Sequence, residues 1–432
     1  MWICLLTEAL PLVEESRPEA PVKRRSSGGS LLALYWLVSF PLFTSAFVGL
    51  PRRISLGPMS ALGALTIAQL ILVAIGALVC SRYPKRLLLR ALPFGCFLFW
   101  AAISSFWAPP NYQGAQNGIV YMLFGFSLVL AGSLAARNMV RMEVLLGRAV
   151  LWIDCIALGL VLRDVLVYGL PNDPDEGWLV GPRPLAVLGL VMLSWHLSRW
   201  YFGSKASRLP IALWLLAILF SMSRTGIAVA LLLVGIIVLL QIRFRPSRAA
   251  MSLPTLMVVA IIVVGLVMYT SAFNDRFFAG YDTQKVNVAG MKINTSGRIN
   301  LWGATIESAL KRPIVGQGLG SSQQLIESRF PRLSHPHNDY LRVWHDLGLI
   351  GVFLLVTALG CWLWILLRAW HDAEMRRSRA AHLELTALLL LVAMSLVMVP
   401  DNALIYSFIM GPAGVLVGTG LGVTSPPVRR HP

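Results

Sequence analysis

Long apolar runs alternate with short polar intervals along almost the whole chain. About twelve runs can be distinguished, several of them near the ~20 residues that a helix needs to cross a bilayer. Because hydrocarbon offers no partner for free backbone groups, each run is expected to be helical or sheltered by helices. The pattern predicts an all-α polytopic membrane protein with about twelve transmembrane helices. The runs cover residues 31–50, 59–80, 87–107, 119–135, 149–167, 185–197, 209–222, 225–240, 253–271, 346–367, 383–399 and 402–423.

The composition supports a membrane protein and argues against a soluble domain. Of the 432 residues, 56% are hydrophobic and only 13% are charged, whereas soluble domains carry roughly a quarter charged residues. The five cysteines lie in or beside apolar runs and show neither metal nor disulfide spacing. They are expected to pack as small hydrophobic side chains.

The net charge of +17 could suggest a nucleic-acid partner, but its distribution favours membrane lipids. Lysines and arginines cluster in alternate intervals between the runs, which is the bias that places such intervals in the cytoplasm. This bias puts both termini inside and the longest polar interval outside. The predicted parts are a cytoplasmic tail at 1–28, helices 1–9 at 29–271, an outer loop at 272–345, helices 10–12 at 346–423 and a cytoplasmic tail at 424–432.

One junction decides this orientation. Residues 209–240 form either one tilted helix or two short helices that break at Ser221–Gly226. The charge bias favours the break, and a helix over 209–222 rises only about 21 Å, less than the ~30 Å hydrocarbon core. Arg224 is therefore expected below the outer surface.

The outer loop is too long to be a plain connection. Over 298–311, Ile299, Trp302, Ile306 and Leu310 share one face of a predicted amphipathic helix. A flexible turn is expected at 316–320 and a second short helix at 321–330. The glycines of the turn superficially resemble a nucleotide-binding loop, but they follow no strand of a βαβ unit.

The stretch 332–351 closes the loop and holds the densest set of reactive side chains. If the chain becomes helical at Pro336, His337 and His345 share one face, and a neutral His337 can accept a proton from a hydroxyl. The alternative is that the histidines and Asn338 only begin a helix and bond to its backbone. A third hypothesis is a metal site, with His335, His337, Asp339 and His345 as possible ligands. Pro336 argues against it, because His335 and His337 would share a face only on a regular extended strand.

Three arginines are candidates for binding an anion. Arg224, between two apolar runs, is costly to bury without an anionic partner, and its guanidinium suits a phosphate. Snorkelling to the headgroups is the alternative. Arg298 could supply a second guanidinium, although a solvated surface charge explains it too. Arg183, at the start of an outer helix, is the third.

Three motifs resemble the O-antigen ligase and polymerase superfamily. They are Ser223–Gly226, Ser296-Gly-Arg298 with Trp302, and His335–Leu341 followed by Gly348 and Gly351. The resemblance implies a GT-C-type glycosyltransferase of the bacterial inner membrane whose outer loop is periplasmic. It also implies a donor glycan on undecaprenyl pyrophosphate, with neither nucleotide sugar, metal nor other cofactor.

The resemblance also implies roles for individual residues. The family's essential histidine falls on His337 and its two essential arginines on Arg224 and Arg298, which are the expected catalytic residues. Many members have Glu where this chain has His345. The expected substrate-binding residues are Arg183, Asn338, His335 and Arg342.

Three functions fit these expectations. The first is an O-antigen ligase that moves O-polysaccharide to lipid A–core oligosaccharide, and it is favoured because the amphipathic helix could border a side opening for a lipid-borne acceptor. The second is an O-antigen polymerase or an O-linked protein oligosaccharyltransferase. The third is a transporter of lipid-linked glycan. The scarcity of charged residues within the predicted helices argues against it.

Overall fold

The structure is a computed structural model that describes residues 28–47, 54–56, 59–80, 83–110, 112–169, 179–247, 265, 285–288, 291–294, 298–331 and 333–424. The described part is mainly helical. Its α-helices are α1 Gly28–Ser45, α2 Ala61–Val79, α3 Lys85–Ser104, α4 Tyr112–Arg137, α5 Met139–Tyr168, α6 Pro182–Tyr201, α7 Arg208–Phe220, α8 Arg224–Phe244, α9 Arg298–Ala309, α10 Ser321–Arg329, α11 Asp339–Met375, α12 Ala381–Val397 and α13 Ser407–Val423.

Eleven of the twelve apolar runs coincide with these helices, and the run at 253–271 lies outside the described residues apart from Gly265. Six described helices, α2, α3, α4, α5, α8 and α11, are long and apolar enough to cross a membrane. α1, α12 and α13 are shorter apolar helices. The predicted total of twelve spans stays a prediction, as do the boundaries of the tails and loops.

Strands are a small component that the sequence pattern did not predict. β1 Ser55–Leu56 pairs with β2 Met59–Ser60, and β3 Lys285–Val288 pairs with β4 Met291–Asn294, both antiparallel. The second hairpin lies inside the long loop, before α9.

The break between α7 and α8 is where the sequence predicted it. Met222 adopts a left-handed φ of 50° between the two helices. Ser223 then caps α8, because its hydroxyl accepts a hydrogen bond from the backbone N–H of Gly226 at 3.2 Å. This local chemistry ends one helix and makes Arg224 the first residue of the next.

The most extensive contact between two of the described helices, that of α4 with α13, is built on glycine. A Cβ added at Gly414, Gly418 or Gly422 would overlap the backbone of α4 at Phe124, Leu128 or Gly132. Small residues at a spacing of four allow two helices in a membrane to approach this closely. The contact fixes α13, and therefore the turn that precedes it.

Buried polar side chains join α5, α6 and α7. His196 Nε2 lies 3.0 Å from Asp154 Oδ2, and the indole N–H of Trp214 donates to Asp154 Oδ1 at 2.7 Å. A buried carboxylate needs such partners, so Asp154 connects three helices.

The turn before α10 is fixed by hydrogen bonds, which makes the expectation of a flexible turn wrong. Backbone N–H groups of Gln317 and Gly318 donate to the carbonyls of His345 and Asp346, each at 2.8 Å. Gly316, Gly318 and Gly320 have positive φ. A side chain at Gly316 or Gly348 would overlap the opposing backbone, so the loop and the kink of α11 at Gly348 interlock.

Candidate functional site

The candidate site begins at the turn before α11. The Asn338 side chain caps this helix by accepting a hydrogen bond from Leu341 N at 2.9 Å. His337 therefore precedes the helix, with a left-handed φ of 51°. The expectation that His337 and His345 share one helical face is wrong, because the helix starts after Asn338 and not at Pro336.

His345 belongs to a different cluster. Its Nε2 lies 3.0 Å from the Ser308 hydroxyl of α9, and its Nδ1 lies 3.1 Å from Asp346 Oδ1. The Asp346 carboxylate also accepts hydrogen bonds from Gly320 N and Ser322 N at 3.0 and 2.7 Å. These contacts hold α9 and α10 against α11.

A buried ion pair ties the start of α11 to the turn after α12. Arg342 Nη2 lies 2.8 Å from Asp339 Oδ1, and the two side chains are 1% and 0% exposed. Asp339 Oδ2 accepts a hydrogen bond from Leu404 N at 2.9 Å, and Asp339 N donates to the Met398 carbonyl at 2.8 Å. Removing one partner of such a pair would leave a buried charge uncompensated.

The hydrogen bonds of Asp339 place the turn after α12 beside His337. His337 Nδ1 lies 3.5 Å from Asp401 Oδ1 and 3.2 Å from the side-chain nitrogen of Asn402. The His337 side chain is 16% exposed and that of Asp401 only 3%. The imidazole is thus reachable from outside while its partner carboxylate is buried.

Arg298 lies near enough to Asp401 for its positive charge to act on that carboxylate. Burial alone would raise the pKa of Asp401, but the hydrogen bond and charge of His337, the N–H of Asn402 and the charge of Arg298 hold its pKa below the usual value. Arg298 is the first residue of α9. Two of the three expected catalytic residues, His337 and Arg298, therefore act on one carboxylate.

Arg224 is the first residue of α8, after the Ser223 cap. At the far end of α8, Arg245 Nη2 lies 2.8 Å from Glu374 Oε1, near the end of α11. This contact joins the last turn of α8 to the end of α11.

The other expected site residues have different surroundings. Arg183 is in the first turn of α6, and its side chain lies outside the described residues. His335 is partly buried two residues before His337. Within the described part of the chain, no group of three or more His, Cys, Asp or Glu side chains has the arrangement of a metal site.

Sequence reasoning missed Asp401 and Asn402. They form a short polar interval between two apolar runs, after Pro400. An ionisable residue in such surroundings is itself a sign of function, and that signal could have found Asp401.

Comparison with known proteins adds one finding. Residues 209–356 match the family model described as O-antigen ligase. The matched segment includes Arg224, Arg298 and His337 and ends before Asp401. No curated protein matches the chain.

Proposed function

Because residues 209–356 match the family model described as O-antigen ligase, we propose that the protein is an O-antigen ligase. The proposed reaction transfers O-polysaccharide from undecaprenyl pyrophosphate to lipid A–core oligosaccharide at the periplasmic face of the inner membrane. The proposal uses no metal or other cofactor.

The observation that carries the proposal is the placement of His337 beside Asp401. A carboxylate near Nδ1 favours the tautomer with a proton on Nδ1, which leaves the lone pair on Nε2. The proposal therefore takes the Asn402 amide with its oxygen, which is otherwise unbonded, turned towards Nδ1 in place of the nitrogen. Nε2 can then accept a proton from a hydroxyl in the transition state. General-base help of this kind contributes typically about 10²–10⁴-fold to the rate.

The proposed reaction is one displacement at the anomeric carbon. The acceptor oxygen forms a bond to this carbon while the bond to the pyrophosphate oxygen breaks, and His337 takes the hydroxyl proton. The leaving group is undecaprenyl pyrophosphate. A single displacement inverts the anomeric configuration.

The arginines act on the leaving group in this proposal. Pyrophosphate gains negative charge as the glycosidic bond breaks, and guanidinium groups in a site of low dielectric stabilise this charge more in the transition state than before it. The charge of Arg298 at Asp401 supports this role for Arg298. Arg224 is assigned to it because it lies in the segment that matches the family model.

The substrate-binding residues take two kinds of role in the proposal. Arg183 and His335 are assigned to direct contact with donor or acceptor. Asn338 caps α11 and Arg342 is paired with Asp339, so these two would act by holding the turn of His337 in place.

A two-lipid assay with the purified full chain tests the proposal. Undecaprenyl-pyrophosphate glycan is mixed with either lipid A–core or a second lipid-linked repeat. Capped lipid A is the expected product. Lengthened lipid-linked chains without capped lipid A would instead identify a polymerase, and glycan movement across vesicles without any new bond would identify a transporter.

The proposed orientation has its own test, in a variant without native cysteines. Gln324 in α10 and Asp372 near the end of α11 are both exposed. In intact spheroplasts, an impermeant thiol reagent should label Gln324→Cys and leave Asp372→Cys unlabelled. The opposite labelling would place the candidate site in the cytoplasm.

A further inference from the structure

An open apolar cavity lies beside the interlocked loop, at the same end of the bundle as the candidate site. Its volume is about 520 Å³, which is within the usual range for sites of small molecules. The lining residues come from the end of α3 and from the segment after α9. They are Trp100, Ile103, Trp107, Arg312, Pro313, Ile314 and Val315.

Hydrogen bonds hold both walls of the cavity against α11. The Trp100 indole N–H donates to the Leu347 carbonyl at 2.8 Å. On the other wall, the Pro313 carbonyl accepts hydrogen bonds from the Trp344 indole at 3.2 Å and from Leu349 N at 2.8 Å. The cavity is therefore built on the kink of α11, about 12 Å along the helix axis from Asp339.

The cavity joins an apolar surface to positive charge. Ile314 and Val315 are exposed, as are the basic side chains of Lys311 and Arg312. The Trp107 indole nitrogen is buried and has no hydrogen-bond partner among the described residues. An apolar cavity with Arg312 in its lining, a lysine next to it in the chain and an unused N–H donor is complementary to a lipid chain attached to an anionic headgroup.

We propose that this cavity binds an anionic acyl lipid of the bilayer, with a chain between Trp100, Trp107 and Ile314 and the headgroup phosphate at Arg312. Indole rings are enriched where a protein meets the membrane–water interface. Basic residues there attract anionic lipids. The exposed position of Ile314 and Val315 allows the lipid to enter sideways from the bilayer.

Native mass spectrometry of the detergent-solubilised full chain tests the proposal without any glycan donor, so its outcome is separate from that of the transfer assay. The probes are phosphatidylglycerol, phosphatidylcholine and a short polyprenyl phosphate with equal chain mass. Phosphatidylglycerol is expected to bind most tightly. Equal affinity for phosphatidylcholine, or tighter binding of the polyprenyl phosphate, would overturn the proposed occupant.

Variants locate the site. Arg312→Ala is expected to weaken phosphatidylglycerol binding about fivefold, as for the loss of one basic residue at a lipid surface. Ile314→Asp, at a position 60% exposed, should abolish binding without unfolding the chain. The matched control is Arg368→Ala, because Arg368 is likewise exposed but lies outside the cavity, 4.1 Å from the Trp364 ring centroid. Equal binding by Arg312→Ala and Arg368→Ala would place the lipid elsewhere and refute the site.

Discussion

His337 Nδ1 lies 3.5 Å from Asp401 Oδ1, although 63 residues separate them along the chain. Two features bring them together: the Asn338 cap, which leaves His337 outside α11, and the Asp339–Arg342 pair, which ties α11 to the turn after α12. The buried carboxylate orients the imidazole and stabilises the imidazolium that would form when Nε2 accepts a proton. The following predictions depend on this relationship.

Asp401→Asn is expected to lower the transfer rate about 10²–10⁴-fold. The amide keeps the size of the side chain but removes the charge that favours a proton on Nδ1. Donor affinity should change little, so the loss should appear in kcat and not in KM. A loss confined to KM would assign Asp401 to substrate binding instead.

Acid stability should also depend on Asp401. A carboxyl whose pKa is lower in the folded state than in the unfolded state stabilises the fold above its unfolded pKa, about 3.9, and this contribution disappears as pH falls through the folded-state pKa. Thermal melts of the detergent-solubilised chain between pH 6 and pH 3 measure it. The wild type should lose more of its Tm on acidification than Asp401→Asn, and parallel losses would contradict the assigned shift.

The sequence predicted the described helices well, because apolar runs and the charge bias are local signals. The roles of the candidate arginines stay predictions. It predicted the register of His337 wrongly because the Asn338 cap competes with Pro336 as the helix start. Asn is among the preferred N-cap residues, and its own backbone is not helical. Taking Asn338 as the cap would have placed His337 outside the helix.

The sequence could not predict that Asp401 pairs with His337, for a different reason. Asp401 is close to His337 only because α12 packs against α11 and α13 packs on the glycines facing α4. Contacts between helices far apart in sequence leave no periodic trace. The sequence also did not predict the rigid loop at Gly316–Gly320. Its hydrogen bonds go to backbone carbonyls of α11 just before the kink at Gly348, which is distant in sequence.

Arg298→Ala is expected to reduce transfer about 10²–10³-fold, the usual loss when one group that stabilises developing charge is removed. It should also raise the pKa of Asp401, because the charge of Arg298 helps to lower that pKa. The loss of Tm between pH 6 and pH 3 should then be smaller than in the wild type, because the folded-state pKa of Asp401 lies closer to its unfolded value.

The control for Arg298 is Arg329→Ala in α10. Arg329 is exposed and pairs with the exposed Glu307, Nη1 to Oε2, at 2.9 Å. This variant should keep wild-type rate and pH profile. If the two arginine variants behave alike, Arg298 has no role in the reaction.

Gly348→Ala should destabilise the interlocked loop. Gly348 has φ 69°, and an added Cβ would overlap the Ile314 carbonyl, so we expect a loss of about 1–3 kcal/mol. Gly360→Ala is the matched control on the same helix, since a Cβ there meets nothing within 4 Å. Chemical unfolding of both variants measures the difference, and equal stabilities would show that the kink tolerates a side chain.

The central claim is that His337 is the general base, and chemical rescue tests it most directly. The transfer rate of His337→Ala is measured with increasing imidazole, next to Arg298→Ala under the same conditions. We expect a loss of about 10²–10⁴-fold in His337→Ala that imidazole partly restores in proportion to its concentration, and no rescue of Arg298→Ala. Full activity of His337→Ala without imidazole would contradict the account.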